Sequence, residues 1–242
     1  MTAPLERPAF YALARGGWRD LVTLLHPPYT AWHLSYVALG AASASRFDAG
    51  RMAAAIAAFA LAVGVGAHAL DELHGRPLQT ALSDRALITL AAAAIGAALA
   101  IGVIGAVEIS PTLAPFVAVG GFVVVAYNLE LFGGRFHSDI WFALAWGAFP
   151  ALTGAWVCAL AAEPAPLLVA AACAGLSVAQ RRLSTPARAL RRRTESVAGE
   201  LRCGGAVVGL SAERLAAPLE GALRALALAV VLLAAGFVAL RL

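Results

Sequence analysis

A cluster of ionisable side chains follows a long apolar run in the first third of the chain. The stretch from Gly64 to Ser83 reads GVGAHALDELHGRPLQTALS. Ionisable groups are costly at membrane depth, so such a cluster at the end of an apolar helix predicts a functional site. With about 100° per residue, a helix places His68, Asp71 and Glu72 on one face. The cluster consists of His68, Asp71, Glu72, His74 and Arg76.

A second polar cluster follows another apolar run and reads AYNLELFGGRFHSD. Its Gly133-Gly134 pair gives the backbone freedom to approach a ligand. The five histidines of the chain all lie near the ends of apolar runs that we predict to face the same side of a membrane. His33 lies about one turn inside the first of these runs. The second cluster supplies Tyr127, Asn128, Arg135 and His137.

These residue types fit two kinds of metal chemistry. Carboxylates with arginines suit Mg²⁺ bound to a phosphate or diphosphate, because magnesium prefers oxygen ligands and guanidinium groups pair with phosphate oxygens. Histidines with carboxylates suit zinc or iron. We expect catalytic roles for Asp71, Glu72 and His68, and substrate binding by Arg76, Tyr127, Asn128 and Arg135. The predicted ligands of a divalent metal, Mg²⁺ or alternatively Zn or Fe, are His68, Asp71, Glu72, His74, His33 and His137.

The composition is that of an integral membrane protein. Of the 242 residues, 61% are hydrophobic and 13% are charged, and the mean hydropathy is +0.80. Soluble domains have about 45–50% apolar and about 25% charged residues. The net charge of +4 comes from arginines alone, and we attribute it to loops on one side of a bilayer and not to nucleic-acid binding. The N-terminus lacks the apolar core of a signal peptide.

The apolar runs predict an all-α membrane bundle of about seven transmembrane helices around a central cavity. We divide the chain into an interfacial segment 1–28, helices one to six with the polar site in 29–180, an arginine-rich amphipathic segment 181–219 and a last helix in 220–242. Within 181–218 we expect one or two interfacial helices broken at Gly204-Gly205. The arginines of this segment either enforce the topology from a solvated loop or bind an anionic headgroup or diphosphate. The predicted spans are 29–45, 52–70, 85–107, 111–129, 139–160, 165–179 and 223–240.

The arginines predict the orientation. With a cytoplasmic N-terminus, most arginines fall in inside segments, including the dense run from Arg181 to Arg214, whereas the outside loops contain few. This is the positive-inside asymmetry. We therefore expect a bacterial or archaeal cytoplasmic membrane protein with its N-terminus and polar site on the cytoplasmic side.

Three stretches resemble the UbiA superfamily of intramembrane prenyltransferases. They are HPPYTAWHLSYVALGAA, DELHGRPLQTALSDRAL and YNLELFGGRFHSDIWFALAWGAFPALTGAW, which together with the intervening residues span a little over half of the chain. The resemblance implies a helical bundle around a cavity, in which Mg²⁺ held by two aspartate-rich motifs assists prenyl transfer from a diphosphate.

The match to those motifs is incomplete. The asparagine and aspartate of the first motif fall on His68 and Glu72, with Asp71 adjacent, and Arg76 stands where a further aspartate is often found. The second motif falls on GLSVAQRRLS, which has no aspartate. The second motif of this resemblance is therefore missing from the chain.

The resemblance implies an enzyme that acts on an isoprenoid or lipid-like substrate at a metal-dependent cytoplasmic site. Two alternatives stay open at this point. One is a histidine and carboxylate metalloenzyme of another reaction class, and the other is a non-catalytic lipid binder or transporter. The expected partners are the bilayer and a lipid-like substrate, without nucleic acid, and the sequence does not give the oligomeric state.

Overall fold

The structure is a computed structural model that describes residues 7–242, and it is mostly helical. Five of its helices are long and apolar enough to cross a membrane, which confirms the prediction of a membrane protein. These are α3 (Ala49–Leu73), α4 (Asp84–Glu108), α5 (Pro111–Asn128), α6 (Asp139–Ala159) and α8 (Ala212–Ala239). The other helices are α1 (Trp18–Leu24), α2 (Pro27–Ser43) and α7 (Pro164–Arg192).

The first and sixth predicted spans fall in α2 and in the N-terminal half of α7. Helix α2 has 17 residues, and α7 continues without interruption into its arginine-rich half. A length of 17 residues lies at the lower limit of about 17 for crossing hydrocarbon. The count of seven spans therefore stays a prediction beyond the five apolar helices.

The arginine-rich segment differs from the expected interfacial helices. A two-stranded antiparallel hairpin, β1 (Glu200–Cys203) with β2 (Ala206–Gly209), occupies the place where we expected helices broken at Gly204-Gly205. Both glycines have positive φ values, 55° and 80°, as a tight two-residue hairpin turn requires. Helix α7 reaches Arg192 and α8 begins at Ala212, so the segment departs from the expected one or two helices at the hairpin, where the glycine pair forms a strand turn.

Helices α2 and α6 pack with their backbones in direct contact at two glycines. A Cβ atom at Gly40 would lie 1.9 Å from the Ala151 carbonyl oxygen, and one at Gly154 would lie 2.0 Å from the Val37 oxygen. Small residues permit this close approach between membrane helices. The contact holds the middle of α6 beside α2, next to His33.

Two π-helical segments interrupt the long helices near the polar end of the bundle. Residues Ala60–Ala67 of α3 and Leu144–Ala148 of α6 have this geometry. Such segments are rare and occur often at functional sites. The first ends directly before His68, and the second contains Trp146, whose carbonyl oxygen contacts His33.

The N-terminal segment covers one end of the bundle. Ala9 and Ala12 are buried, and the buried Asp20 of α1 accepts a hydrogen bond from the Ala81 amide at 2.9 Å. The carbonyl oxygen of Pro8 accepts from Arg192 at 3.0 Å. The described part of the predicted interfacial segment, residues 7–28, is therefore packed onto the bundle, whereas residues 1–6 lie outside the described chain.

Candidate functional site

A polar cavity and an apolar groove meet inside the bundle. The groove lies between α3, α4, α5 and α6, with an empty volume of about 970 Å³ that includes its open side. It follows α3 from Arg51 to Val63, a distance of about 18 Å at about 1.5 Å per residue. The polar cavity, about 1000 Å³ with its mouth, is lined by the N-terminal segment, α2, α3, α5, α6, α7 and α8. Val63 and Trp146 line both spaces, so the two are adjacent.

Four of the five histidines line the polar cavity, as their common membrane side predicted. In three of them, Nδ1 contacts a backbone carbonyl oxygen. A carbonyl oxygen only accepts, so Nδ1 carries the proton and the Nε2 atom of the neutral ring is left as an acceptor. The contacts are His33 with Trp146 O at 2.6 Å, His68 with Gly64 O at 3.1 Å and His137 with Tyr127 O at 3.2 Å.

His26, the fourth histidine, belongs to a stacked pair. Its ring lies parallel to that of His68 with centroids 4.0 Å apart, and its Nδ1 is 2.8 Å from the Tyr11 hydroxyl. Burial lowers the pKa of His26 well below its ordinary value, and neighbouring His68 and arginines lower it further. Burial also raises the pKa of Tyr11. The Nδ1 atom of a neutral His26 can therefore accept a hydrogen bond from the Tyr11 hydroxyl, which leaves Nε2–H as a donor.

The adjacent carboxylates Asp71 and Glu72 have different surroundings. Asp71 lines the cavity, and its carboxylate has no hydrogen-bond or ion-pair partner among residues 7–242. Glu72 is fully buried and accepts three hydrogen bonds from the following loop. These come from Leu78 N at 2.8 Å, Thr80 N at 2.8 Å and Thr80 Oγ1 at 2.9 Å. Of the three residues predicted to share a face, His68 and Asp71 line the cavity, while Glu72 organises the loop.

Three further predicted residues lie outside the cavity. Arg76 donates to Leu82 O at 2.5 Å and pairs with Asp84, which closes the same loop. His74 and Arg135 are exposed at the surface. The contacts of Arg76 therefore hold the loop together. A role in ligand binding for Arg76, His74 and Arg135 stays a prediction.

Tyr127 and Asn128 lie in the cavity, where the sequence placed them. The Tyr127 ring stacks on His137 with centroids 4.5 Å apart, and its hydroxyl accepts from Arg181 Nη1 at 2.5 Å. The Asn128 amide donates to Val124 O at 2.7 Å, which leaves its side-chain oxygen available. The fourth and fifth predicted spans therefore contribute to the same cavity as the end of α3.

The cavity residues of α7 were missed as site residues. Gln180, Arg181, Ser184, Arg188 and Arg192 all line it. The spacing of the arginines, seven and then four residues, places them on one helical face, and this signal was present in the sequence. We interpreted these arginines mainly as topology determinants, with binding of an anionic headgroup or diphosphate as the alternative, and named none of them as a site residue.

The donor set does not fit a pair of magnesium ions. No group of three histidine, cysteine, aspartate or glutamate residues within 7–242 comes close enough to hold a metal. The oxygens of Glu72 are already bonded to the loop, and arginines occupy the face of α7 where the resemblance implies acidic ligands. Magnesium at phosphate sites is bound through one or two carboxylates together with substrate phosphates, and Asp71 is the one carboxylate of the described cavity free for this, which is too little for two ions.

Comparison with known proteins places the chain in no family. No family model matches it, and neither a curated protein nor a solved structure matches it.

Proposed function

We propose that this protein is a UbiA-like integral membrane enzyme that acts on an isoprenoid or lipid-like substrate, by prenyl transfer or related isoprenoid chemistry. The observation that supports this most is the apolar groove that adjoins a cavity containing Asp71, His68 and arginines. A substrate with an apolar chain and an anionic head matches this arrangement, since the chain fits the groove and the head fits the polar cavity. The proposal includes a seven-span bundle with the polar cavity on the cytoplasmic side.

Asp71 is the residue of this chain best placed to act on a proton in the cavity. It is the one cavity-lining carboxylate in residues 7–242 without an arginine partner, since Glu220 pairs with Arg191. His68 lies one helical turn before it, with Nε2 as acceptor. The two side chains can orient or deprotonate the group that accepts the prenyl chain.

A turnover assay tests the proposal. Purified protein in nanodiscs is incubated with farnesyl or geranylgeranyl diphosphate and a membrane lipid extract, and diphosphate release and prenylated product are measured. We expect release that is proportional to protein and that falls about 10²–10⁴-fold in Asp71→Asn. Asp84→Asn, which changes an exposed carboxylate outside the cavity, is the matched control. Absence of turnover with every prenyl diphosphate and metal supplied would refute the enzymatic proposal.

The predicted requirement for Mg²⁺, or alternatively Zn or Fe, stays a prediction. Of the six predicted ligands, His33, His68, His137 and Asp71 line the cavity and Glu72 and His74 do not. Elemental analysis of the purified protein, before and after chelation, tests for a resident metal.

A non-catalytic lipid binder is the second candidate. The commitment of Glu72 to its loop favours it, because one of the two carboxylates expected to do chemistry is used for folding. Mass spectrometry of co-purifying lipid, combined with the turnover assay, separates the candidates. A retained lipid without turnover would support the binder.

A further inference from the structure

The cytoplasmic half of α7 presents an arginine face to the polar cavity. Arg181, Arg188 and Arg192 lie seven and four residues apart, so about 100° per residue places them within about 40° of one another. Arg181 is paired with Asp139. Arg191, which also lines the cavity, forms a two-point ion pair with the buried Glu220.

Arg188 and Arg192 are the two uncommitted positive charges of the cavity. Neither has a carboxylate within 4.0 Å in the described chain. Arg192 donates through Nε to Pro8 O at 3.0 Å, and residues 7–242 offer no acceptor to its Nη groups. Arg188 has one long contact, 3.5 Å from Nη2 to Thr185 Oγ1. Like charges four residues apart on a helix repel each other, and a bound anion reduces this repulsion.

The charged side chains that line the cavity sum to a positive charge. Four arginines and two carboxylates, Asp71 and Glu220, line it, so the cavity has an excess of two positive charges. An anion is therefore the ligand that the cavity favours, and the adjoining groove requires that this anion have an apolar chain.

Two buried polar atoms at the cavity also lack partners. Gln180 is 3% exposed and His26 is 9% exposed, and both line the cavity. The Gln180 Oε1 and His26 Nε2 atoms have no hydrogen-bond partner in the described chain. Buried polar groups are nearly always bonded, so these two atoms are available to a ligand or to water in the cavity. With Tyr11 donating to Nδ1, His26 has an Nε2–H available for an anion, and a flipped Gln180 amide also donates.

We propose that Arg188 and Arg192 bind the phosphate or diphosphate head of an apolar-chain ligand directly, without a bridging metal ion. Guanidinium groups match phosphate oxygens with two parallel hydrogen bonds. Arg192 is half-buried and Arg188 is exposed, so Arg188 lies where the cavity opens to solvent. Gln180 and His26 complete the head site, and the groove from Val63 towards Arg51 takes the chain. This inference rests on the proposed isoprenoid or lipid-like substrate and adds how its head is recognised.

Binding measured in a chelator tests the proposal. The full-length protein in nanodiscs is titrated with radiolabelled farnesyl thiodiphosphate, which resists turnover, in excess EDTA and then in Mg²⁺. We expect equal affinity in the two conditions, within about twofold. In Arg188→Gln/Arg192→Gln we expect affinity to fall about 100-fold, because the loss of each charged contact lowers the affinity about tenfold. Arg182→Gln/Arg193→Gln, which changes two exposed arginines of the same region outside the cavity, is the matched control and is expected to bind as the wild type.

Further ligands and variants separate the sources of the phosphate. Farnesol has no anionic head and is expected to bind wild type and double variant equally. Dioleoyl phosphatidate identifies a phospholipid source if it competes with the same arginine dependence, which also supports the proposal. Arg188→Lys/Arg192→Lys keeps the charge without the two-point geometry, so intermediate affinity is expected. Size-exclusion profiles and thermal unfolding check that the variants are folded.

Two results would overturn the proposal. One is loss of thiodiphosphate binding to the wild type in EDTA, and the other is unchanged affinity in the folded double glutamine variant. Turnover with metal-dependent binding would preserve the proposed function and reject this inference. Metal-free, arginine-dependent binding without turnover would support this inference and reject the proposed enzymatic function.

Discussion

The end of α3 and the C-terminal half of α7 are both rich in charge and both border the polar cavity, but their charges have different partners. At the end of α3, Glu72 and Arg76 bond to the loop that follows them. Along α7, Arg188 and Arg192 remain without carboxylate partners in the described chain and line the cavity. The denser motif in the sequence therefore contributes mainly to folding, while the arginine run supplies the uncommitted charge.

The difference has a local cause. The loop after α3 is short and contains two residues other than glycine with positive φ, Arg76 at 53° and Gln79 at 56°. Such conformations persist only where the surroundings hold them. The Glu72 carboxylate supplies that restraint through two backbone amides and a hydroxyl. Helix α7, in contrast, is continuous from Pro164 to Arg192 in spite of the internal Pro186, and Arg188 and Arg192 do not close a loop.

Removal of the Glu72 carboxylate is expected to have the largest effect on stability. Glu72→Ala leaves the buried Leu78 and Thr80 amides without an acceptor, and we expect a loss of about 3–5 kcal/mol in unfolding free energy. Asp71→Ala, one residue away, is expected to change stability by less than about 1 kcal/mol. Thermal unfolding followed by tryptophan fluorescence in detergent measures both. Equal destabilisation by the two variants would contradict the different roles of these carboxylates.

Acidification is expected to lower the unfolding stability of the protein, because buried His26 resists protonation in the folded state. Its folded-state pKa lies below its ordinary value of 6.5, mainly because of burial and further because of His68, Arg192 and Arg188. The unfolded chain then binds the proton more readily, so stability is full above about pH 6.5 and falls as the pH decreases below it, by up to about 1.4 kcal/mol per unit for one group.

His26→Gln tests this prediction because it removes the titrating group. We compare the unfolding temperatures of wild type and variant at about pH 7.5, 6.5 and 5.5, which bracket the ordinary pKa of histidine. We expect a steeper decrease in the wild type. Parallel curves would show that His26 does not contribute to the pH dependence.

Loss of Arg76 is expected to have a modest effect. Its partner Asp84 is exposed, and exposed ion pairs contribute about 0.2–1 kcal/mol. Arg76→Gln should therefore lower stability by about 1 kcal/mol or less and leave farnesyl thiodiphosphate binding unchanged. A large loss of binding would instead return Arg76 to the substrate site that the sequence predicted.

Removal of the two uncommitted arginines is expected to have the smallest effect on the ligand-free protein. Arg188→Gln/Arg192→Gln relieves a like-charge contact but also removes the bond from Arg192 to Pro8 O. The two effects oppose each other, so the unfolding free energy should change by about 0.5 kcal/mol or less. The same unfolding assay without ligand measures it. A pronounced loss of stability would show that these arginines, like Glu72, are needed for folding.

The apolar runs predicted the long helices closely. The third span was expected at 85–107 and is observed as Asp84–Glu108, and Pro111 begins the next helix as expected. Such boundaries depend on local hydrophobicity and on proline, which the chain carries in its own sequence. The hairpin at 200–209 was missed, although a Gly-Gly pair between short apolar and β-branched runs is a hairpin signal.

The sequence predicted where the candidate site lies better than it predicted which residues line it. Periodicity placed His68 and Asp71 on a shared face, and both line the cavity with Tyr127 and Asn128. It could not show that the next loop folds back onto Glu72, because that bond depends on a turn with unusual φ values.

The sequence by itself determined a helical membrane protein with its histidines at one end, because hydrophobic length and helical period are local properties. Only the tertiary structure decided which charges remain uncommitted. Glu72 bonds to its loop, Arg181 and Arg191 pair with carboxylates of other helices, and Arg188 with Arg192 faces the cavity. The physical reason is that a charge is neutralised by whatever lies within a few ångströms, and helix packing sets those neighbours.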